Sequence, residues 1–468
     1  MTSPLSKRVK TRHSLSLLYV SQMPSMRIGP LQGVLLYLSD AEIAMWMRTC
    51  AHMYHREYPH MTLPHRMYPA TQLLNSIPFL KQIRIVDEYV PLSLLNLQQV
   101  DLCAKWRRVK TLWVERQPQS KATLSTETVT FLSQLCSVPT QLSTLTFKNV
   151  LGSPMNDKFG MIANQESLTI LDIGSCGLTE EETRTLGTYL TATSSLHTLT
   201  IGHTSVPYWE HLTSALSANR TLTLLILNSV IRNDADGAEL VRQLTFHPTL
   251  RTLNLHFNIA LRQETAIALG GLLKQNPRIT DLNVMGASFG QGAIPFFDGL
   301  RANTTLRILD LSYVPLLSSV VIDLAQAIAI HPTLTTLNVE HSWDYALMDV
   351  SIFYQSVAIN KSLTQLSLAN TGIRDHHVND MCRLLSQNQT LRFLDLDGNN
   401  IQLTGIQFLL HHLLPPTTKL KQINCSRTHW VSNDDEMAIA AAVDAQTTGT
   451  CQVAYGGVLY LLGQRQIR

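Results

Sequence analysis

The strongest constraint on the fold is a repeat that runs through most of the 468-residue chain. Each unit carries the pattern Leu-x-x-Leu-x-Leu, in which apolar and polar residues alternate as in a half-buried β-strand. The patterns start 26 to 29 residues apart, a period typical of solenoids, in which each repeat buries its apolar residues against its neighbours. The clearest copies begin at Leu168, Leu196, Leu222, Leu250, Ile279, Leu306, Leu334, Leu363, Leu391 and Leu420.

A helix is predicted after each strand. In one repeat Ile406, Leu409 and Leu413 recur at helical spacing. Two helices should stop at His247-Pro248 and His331-Pro332, because proline cannot continue a helix. Most others end at an Asn, which we expect to adopt the left-handed conformation that closes a helix. Four of these asparagines also match the N-glycosylation sequence, which we attribute to their fixed place in the repeat. The helix-ending residues are Asn219, Asn276, Asn303, Asn360 and Asn388.

This pattern closely resembles the ribonuclease-inhibitor-like class of leucine-rich repeats. The resemblance implies an α/β fold, a curved solenoid with parallel strands inside and helices outside. Degenerate copies beginning at Leu80, Val109 and Leu142 would take the array to about thirteen strands. That class usually places Asn or Cys just after the strand, and few repeats do so here, which predicts irregular hydrogen bonding in the other turns. The matching residues are Cys176, Asn258 and Asn399.

The pattern divides the chain into five segments. Residues 1–25 are expected to form a flexible basic tail, and residues 26–57 a small helical module with a different apolar period. Residues 58–78 contain four prolines and read as an irregular connector. The repeats then occupy residues 79–430, and residues 431–468 are expected to cap the last repeat.

The helical module resembles an F-box, which precedes leucine-rich repeats in the F-box/LRR family of ubiquitin-ligase receptors. Leu38-Ser39-Asp40-Ala-Glu42-Ile43 follows the usual ordering, whereas the family's opening Leu-Pro is missing. The resemblance implies binding to a Skp-type adaptor and a cullin. The alternative is a helical cap that covers the core of the first repeat. The residues expected to contact the adaptor are Val34, Leu35, Leu38, Ile43 and Trp46.

Function in a solenoid of this kind is expected on the concave strand face, where parallel strands present one continuous surface. The outward residues there are polar and mildly acidic, with aromatic residues near the edge, and they predict a folded protein partner. In the alternative interpretation the polar row merely hydrates the strands, and Phe257, Tyr313, Trp343 and Trp430 fill irregular turns. The candidate binding residues are Asp172, Asn254, His256, Asn283, Asp310, Tyr313, Asn338, Glu340, Asp395 and Asp397.

Other function classes find little support. The net charge of +3 arises from 37 basic and 34 acidic residues spread along the chain, which implies neither nucleic acid nor a membrane surface as a partner. Adjacent histidines such as His376-His377 and His411-His412 point in different directions on a helix, so no metal or other cofactor is expected. No catalytic motif is present, and no motif supplies the arginine that a GTPase activator requires.

The sequence therefore predicts a non-enzymatic binding protein. The leading hypothesis is a monomeric, cytoplasmic or nuclear substrate receptor of a cullin-type ubiquitin ligase. The alternative is a scaffold, inhibitor or host-directed effector without a link to ubiquitin ligation.

Overall fold

The computed structural model describes residues 61–63, 82–87, 110–116, 141–149, 162, 165–343, 351–413, 419–426, 452–455, 458–461 and 464–467. The chain divides into two compact units, residues 1–177 and 178–468. The first unit contains a parallel sheet whose strands pair in chain order. These strands are β1 (Met61–Leu63), β2 (Gln82–Asp87), β3 (Thr111–Arg116), β4 (Thr144–Lys148) and β5 (Ile170–Gly174).

Strand β1 lies inside the segment that the prolines had predicted to be irregular. It is short and pairs in parallel with β2, so its backbone extends the sheet although its flanking sequence lacks the repeat pattern. The predicted connector is therefore not wholly irregular. The helical module at 26–57 and its residues Val34, Leu35, Leu38, Ile43 and Trp46 lie outside the described residues.

In the described residues of the second unit, nine strands from Thr198 to Cys425 pair in parallel and in chain order. Strand β15 (Gln452–Tyr455) pairs in parallel with the last of them, and β16 (Val458–Leu461) and β17 (Gln464–Ile467) follow in antiparallel pairing. The nine strands are β6 (Thr198–Gly202), β7 (Leu224–Asn228), β8 (Thr252–Asn254), β9 (Asp281–Asn283), β10 (Ile308–Asp310), β11 (Thr336–Asn338), β12 (Gln365–Ser367), β13 (Phe393–Asp395) and β14 (Gln422–Cys425).

A helix precedes each of these nine strands, so the predicted alternation of parallel strands and helices is confirmed. The register aligns equivalent residues of successive repeats, since Leu309 pairs with both Leu282 and Leu337. Helices in the described part of the unit are α1 (Glu180–Ala192), α2 (Trp209–Ala218), α3 (Asp234–Leu244), α4 (Gln263–Gln275), α5 (Ala293–Ala302), α6 (Ser318–Ile330), α7 (Ser351–Ile359), α8 (Asp375–Leu385) and α9 (Leu403–Leu413).

The core lies between the strands and the helices. Leu250, Leu253 and Leu255 of one repeat are fully buried, and Leu269 and Leu272 of the following helix α4 are buried as well. Each such side chain contributes about 2 kcal/mol by leaving water, and no repeat could bury its leucines without a neighbour. The Leu-x-x-Leu-x-Leu pattern therefore fixes which side of each strand faces the helices.

The helix-ending asparagines do not adopt the predicted left-handed conformation. Asn219 is extended, with φ −63° and ψ 144°, and its backbone N–H donates to the carbonyls of Ala215 and Leu216 at the end of its own helix. Its Oδ1 accepts hydrogen bonds from the backbone N–H groups of Thr221 and Leu222 at 2.9 and 2.8 Å, while its Nδ2 donates to the carbonyl of Leu190 in the preceding repeat at 2.6 Å. The same pattern recurs at Asn276, Asn303, Asn360 and Asn388.

These bonds also account for the apparent glycosylation sequences. Asn219 and Asn388 are 1% and 2% exposed, so the Nδ2 atom that a glycan would need is buried and already donates a hydrogen bond. The threonine two residues later is part of the same arrangement, because Thr221 Oγ1 donates to the carbonyl of Leu196 at 2.7 Å. The match to the N-glycosylation sequence thus reflects the hydrogen bonds that this Asn and Thr make in their repeat.

Two repeats carry histidine where the five repeats above carry asparagine. Nδ1 of His247 accepts hydrogen bonds from the backbone N–H groups of Thr249 and Leu250, and His331 does the same with Thr333 and Leu334. The neutral ring must then carry its proton on Nε2, which is buried without a hydrogen-bond partner in both residues. Burial lowers the pKa of each histidine to about 4, so both are neutral in the folded chain near pH 7.

We expect the free energy of unfolding to fall as the pH drops from about 6.5 to about 4. The unfolded histidines titrate near 6.5, whereas the folded ones take up protons only near 4, so in that window the unfolded state binds about two more protons. The slope approaches 2.7 kcal/mol per pH unit, about 1.36 for each histidine. Denaturation series from pH 4 to 8 test this.

The double variant His247→Asn/His331→Asn should flatten that slope and leave stability at pH 7 within about 1 kcal/mol, because Asn supplies the same acceptor. The exposed His376→Asn change is the matched control and should leave the slope unaltered. An unchanged slope in the double variant would contradict the assignment of buried neutral rings.

Candidate functional site

The site considered is the exposed side of the sheet in the second unit, here named the strand face. Its side chains alternate with the buried leucines and lie at two positions in each repeat, one between the last two buried residues of the strand and one just after them. The first position is occupied by Thr200, Ile226, Asn254, Asn283, Asp310, Asn338, Ser367, Asp395 and Asn424, and the second by Gly202, Asn228, His256, Met285, Ser312, Glu340, Ala369, Asp397 and Ser426.

The Asn and Asp residues at the first position have a structural task. Their Oδ1 atoms accept a hydrogen bond from the backbone N–H two residues later, at 3.1 Å from Asn254 to His256 and 3.0 Å from Asn338 to Glu340. Asn283, Asp310, Asp395 and Asn424 do the same for the residue two positions on. Either an amide or a carboxylate satisfies this N–H, so the turn alone does not explain why some repeats use Asp.

The carboxylates on the strand face also accept hydrogen bonds from side chains of neighbouring repeats. Asp310 Oδ2 accepts from Asn283 Nδ2 at 3.1 Å, and Asp395 Oδ2 accepts from the Ser367 hydroxyl at 3.3 Å. Burial raises the pKa of Asp395, and the nearby charge of Asp397 adds to the shift, against hydrogen bonds that lower it. Glu340 accepts from Asn370 Nδ2 at 3.0 Å. The strand face thus holds four acidic residues and no Lys or Arg at its two positions.

The residue that follows the second position adopts a left-handed conformation in repeat after repeat. Phe257 and Tyr313 both have φ 58°, and their side chains are 47% and 44% exposed. A bulky residue at positive φ is strained relative to glycine, the residue used in the intervening repeat at Gly286. The left-handed residues of the second unit at this position, named the edge row, are His203, Ser229, Phe257, Gly286, Tyr313, His341, Asn370 and Gly398.

The sequence did not single out this row, although its fixed spacing from the first leucine of each repeat was a usable signal. Two exposed aromatic rings of the edge row each contact another ring. Tyr313 stacks on His341 with ring centroids 4.6 Å apart, and Phe257 meets His256 edge-on at 5.3 Å. The two exposed aromatic rings are therefore held by neighbouring side chains as well as by the turn.

The structure brings most of the predicted binding residues onto one surface. Asn254, His256, Asn283, Asp310, Asn338, Glu340 and Asp395 are half-buried on the strand face, and Tyr313 is exposed at its edge. Asp397 is also on this face but only 9% exposed. Asp172 belongs to the first unit, where it lies 4.0 Å from Lys148, and burial raises its pKa against the opposing effect of that lysine.

The predicted edge position of Trp343 is wrong. This residue is 6% exposed and packs edge-on against Phe353 of α7 with ring centroids 5.1 Å apart, because its place in the turn faces the helix. Trp430 lies outside the described residues. Among the described residues of the edge row, Phe257 and Tyr313 are thus the Phe and Tyr side chains exposed to a partner.

The turns after the strands are irregular, as the scarcity of Asn predicted. Asn258 accepts from the N–H groups of Val230 and Ile231 and donates to the carbonyls of Leu227 and Leu255. Asn399 makes the same four kinds of bond with its own repeat and the preceding one. Other repeats have a hydroxyl or an apolar residue here, such as Ser342, which donates to Leu311, or the buried Val314.

The described residues show no metal-binding group. The rings of His376 and His377 lie 3.9 Å apart, and no group of three or more His, Cys, Asp or Glu in the described part of the chain is placed to hold a metal ion. Burial raises the pKa of Cys382 to about 12, which keeps that thiol protonated. Among the described helices none is both long and apolar enough to span a membrane.

Comparison with known proteins supports the same class. A leucine-rich-repeat family model matches residues 387–410. Pig (Sus scrofa) ribonuclease inhibitor is 26% identical over 258 residues, which cover 54% of this chain and 50% of that protein. Human (Homo sapiens) NACHT, LRR and PYD domains-containing protein 3 is 28% identical over 241 residues, covering 50% of this chain and 23% of that protein. The chain therefore spans about half the length of the ribonuclease inhibitor it matches.

A solved structure of a TLR13–ssRNA13 complex covers 79% of this chain and 46% of that chain, with 14% identity and a TM-score of 0.43. Taken with the strand–helix units, the sequence matches define a leucine-rich-repeat protein. Its repeats are similar to those of ribonuclease inhibitor and of the NACHT, LRR and PYD proteins.

Proposed function

We propose that this chain is a protein-binding module that holds a folded partner on its strand face. The observation that carries the proposal is the combination of a regular polar surface with Phe257 and Tyr313, which stay exposed in a strained left-handed conformation. Exposed aromatic side chains are frequent binding hot spots, and strained residues cluster where function requires them. Similarity to ribonuclease inhibitor, a protein named for what it binds, supports the same conclusion.

The more specific proposal is a substrate receptor of a cullin-type ubiquitin ligase. It rests on the sequence of residues 26–57, in which Val34, Leu35, Leu38, Ile43 and Trp46 would contact a Skp-type adaptor while the strand face holds the substrate. The competing proposal is a scaffold, inhibitor or host-directed effector in which the same segment caps the first repeat. We place the protein in the cytoplasm or nucleus, where such adaptors act.

The two proposals differ in what the full chain retains from a eukaryotic lysate. A ligase receptor should retain an adaptor and a cullin, and Leu35→Asp/Leu38→Asp should abolish that retention while other partners remain. Mass spectrometry of the retained proteins measures both. Retention of neither adaptor nor cullin by the wild-type chain would reject the receptor proposal, and loss of folding in the double variant, measured by circular dichroism, would favour the cap.

A matched variant tests the binding face in the same experiment. Asp310→Asn/Tyr313→Gly keeps the Oδ1 acceptor and suits the left-handed turn, so it should fold. It should lose the partners that Leu35→Asp/Leu38→Asp retains, and keep the adaptor if there is one. Unchanged partners would mean that the strand face is not the binding surface.

A further inference from the structure

The partner's chemistry can be inferred from the charges of the strand face, and this step rests on the proposed function. The two strand-face positions hold Asp310, Glu340, Asp395 and Asp397 in the repeats of β10, β11 and β13, and no Lys or Arg from Thr200 to Ser426. In the described part of the chain, Asp310, Glu340 and Asp395 hydrogen-bond to amides and hydroxyls and form no ion pair with Lys or Arg.

On the helices, by contrast, two acidic side chains lie beside basic ones. Glu239 lies 2.9 Å from Arg242, and Asp298 lies 2.8 Å from Arg301. Intramolecular pairs of this kind compensate these two helix charges, whereas Asp310, Glu340 and Asp395 have no such pair among the described residues. A surface of one sign attracts a partner of the opposite sign and raises its association rate.

The aromatic residues of the edge row lie beside these carboxylates. Phe257 and Tyr313 belong to repeats two strands apart, a separation of about 10 Å along the sheet. Between them is Gly286, where the nearest atom to an added Cβ would be the Cα of Phe257, at 3.8 Å. A side chain placed at Gly286 would therefore meet no close contact, and Asp310 lies on β10, the strand of the Tyr313 repeat, where it pairs with Asn283 of the Gly286 repeat.

An arginine side chain fits these surroundings better than other groups do. Its planar guanidinium stacks on aromatic faces and pairs with carboxylates through two parallel hydrogen bonds. A ring and a carboxylate within reach of one cation reinforce each other, because the ring face is also electronegative. A nucleic acid or an acidic protein would instead meet like charges.

We propose that the strand face from β8 to β13 binds a basic segment of the partner protein, with an arginine seated at Gly286 between Phe257 and Tyr313 and beside Asp310. Further basic residues of the same segment contact Glu340 and Asp395. These carboxylates are half-buried, so each attracts a basic side chain more strongly than it would in open water.

The test uses the full chain and a probe of defined composition, a library of decapeptides with one central residue fixed as Arg, Lys, Glu or Leu and the others random. The Arg pool should bind about tenfold more tightly than the Glu pool, with Lys between them, and affinity should fall as salt is raised. Fluorescence anisotropy of labelled pools measures each affinity.

Variants that keep the turns intact isolate the charge. Asp310→Asn/Asp395→Asn retains the Oδ1 acceptors and should weaken the Arg pool about tenfold, whereas Asn338→Asp should strengthen it. Phe257→Gly/Tyr313→Gly suits the left-handed positions and should remove the preference for Arg over Lys. Glu210→Gln/Glu264→Gln, on the exposed helices, is the matched charge control and should change nothing.

The outcomes separate this inference from the proposed function. If the wild-type chain prefers the Leu or Glu pool, and Phe257→Gly/Tyr313→Gly abolishes that binding, the strand face still binds protein but the basic partner is wrong. If Asp310→Asn/Asp395→Asn leaves the affinity of the Arg pool unchanged, the inference also fails. Binding of no pool would overturn the inference, and the lysate experiment with Asp310→Asn/Tyr313→Gly then decides the proposed function independently.

Discussion

Replacing Asn399 by Ala is expected to lower the free energy of unfolding by about 4 kcal/mol, because four backbone groups lose a buried partner at roughly 1 kcal/mol each. The side chain is 1% exposed. It accepts from the N–H groups of Thr371 and Ile373 at 3.1 and 3.0 Å and donates to the carbonyls of Leu368 and Leu396 at 2.8 Å. Equilibrium denaturation followed by circular dichroism measures the loss.

The neighbouring Asn400 provides the matched control, because it is exposed and its replacement by Ala should cost less than about 1 kcal/mol. A second variant, Asn399→Asp, keeps the acceptor and loses the donor, so its cost should exceed that of Asn400→Ala. Equal stability of Asn399→Ala and Asn400→Ala would show that the turn tolerates the orphaned groups, as it tolerates Val314 in another repeat.

The second large effect is expected where α4 and α5 touch through glycine. A Cβ added to Gly299 would lie 2.6 Å from the Cα of Gly270, and one added to Gly270 would lie 2.8 Å from the carbonyl carbon of Pro295. Backbone cannot move aside as a side chain can, so Gly299→Ala must push the helices apart. We expect a loss of about 3 kcal/mol, measured by the same denaturation experiment.

Gly271 is the control for that prediction because it follows Gly270 in the same helix. Its added Cβ would meet only the end of the Gln275 side chain, at 3.9 Å. Gly271→Ala should therefore stabilise the chain by up to about 1 kcal/mol through helix propensity alone. A loss of stability at both sites, or at neither, would contradict the close approach of α4 and α5.

The repeat period predicts the strands and helices well because each apolar side chain can be buried only between the strands and the helices. Leu253 and Leu255 alternate with polar residues and are buried together on one side of a strand packed on helices, and Leu250 is buried just before that strand. The sequence also predicts the position of the helix-ending Asn, but the left-handed conformation predicted for it is wrong. The Asn219 side chain instead donates to the carbonyl of Leu190 in the helix of the preceding repeat, and a pattern within one repeat cannot reveal a bond between two.

The candidate site can be predicted from the sequence only in part. Sequence spacing places Asn254, Asp310 and Asp395 on one face, yet it does not show that the same residues hold the turns by accepting from the backbone. Nor does aromatic character alone distinguish Tyr313, which is exposed, from Trp343, which packs on Phe353. That difference depends on the conformation of each turn and on which helix lies beneath it.

The most direct test of the account is to find which surface of the full chain touches its partner. A photoreactive phenylalanine analogue in place of Tyr313 at the edge of the strand face is compared with one in place of Lys274, exposed on α4. After irradiation in lysate, the Tyr313 site should yield discrete crosslinked protein species that an excess of unlabelled wild-type chain removes, and the Lys274 site should not. Competable crosslinks from Lys274 alone would contradict protein binding by the strand face.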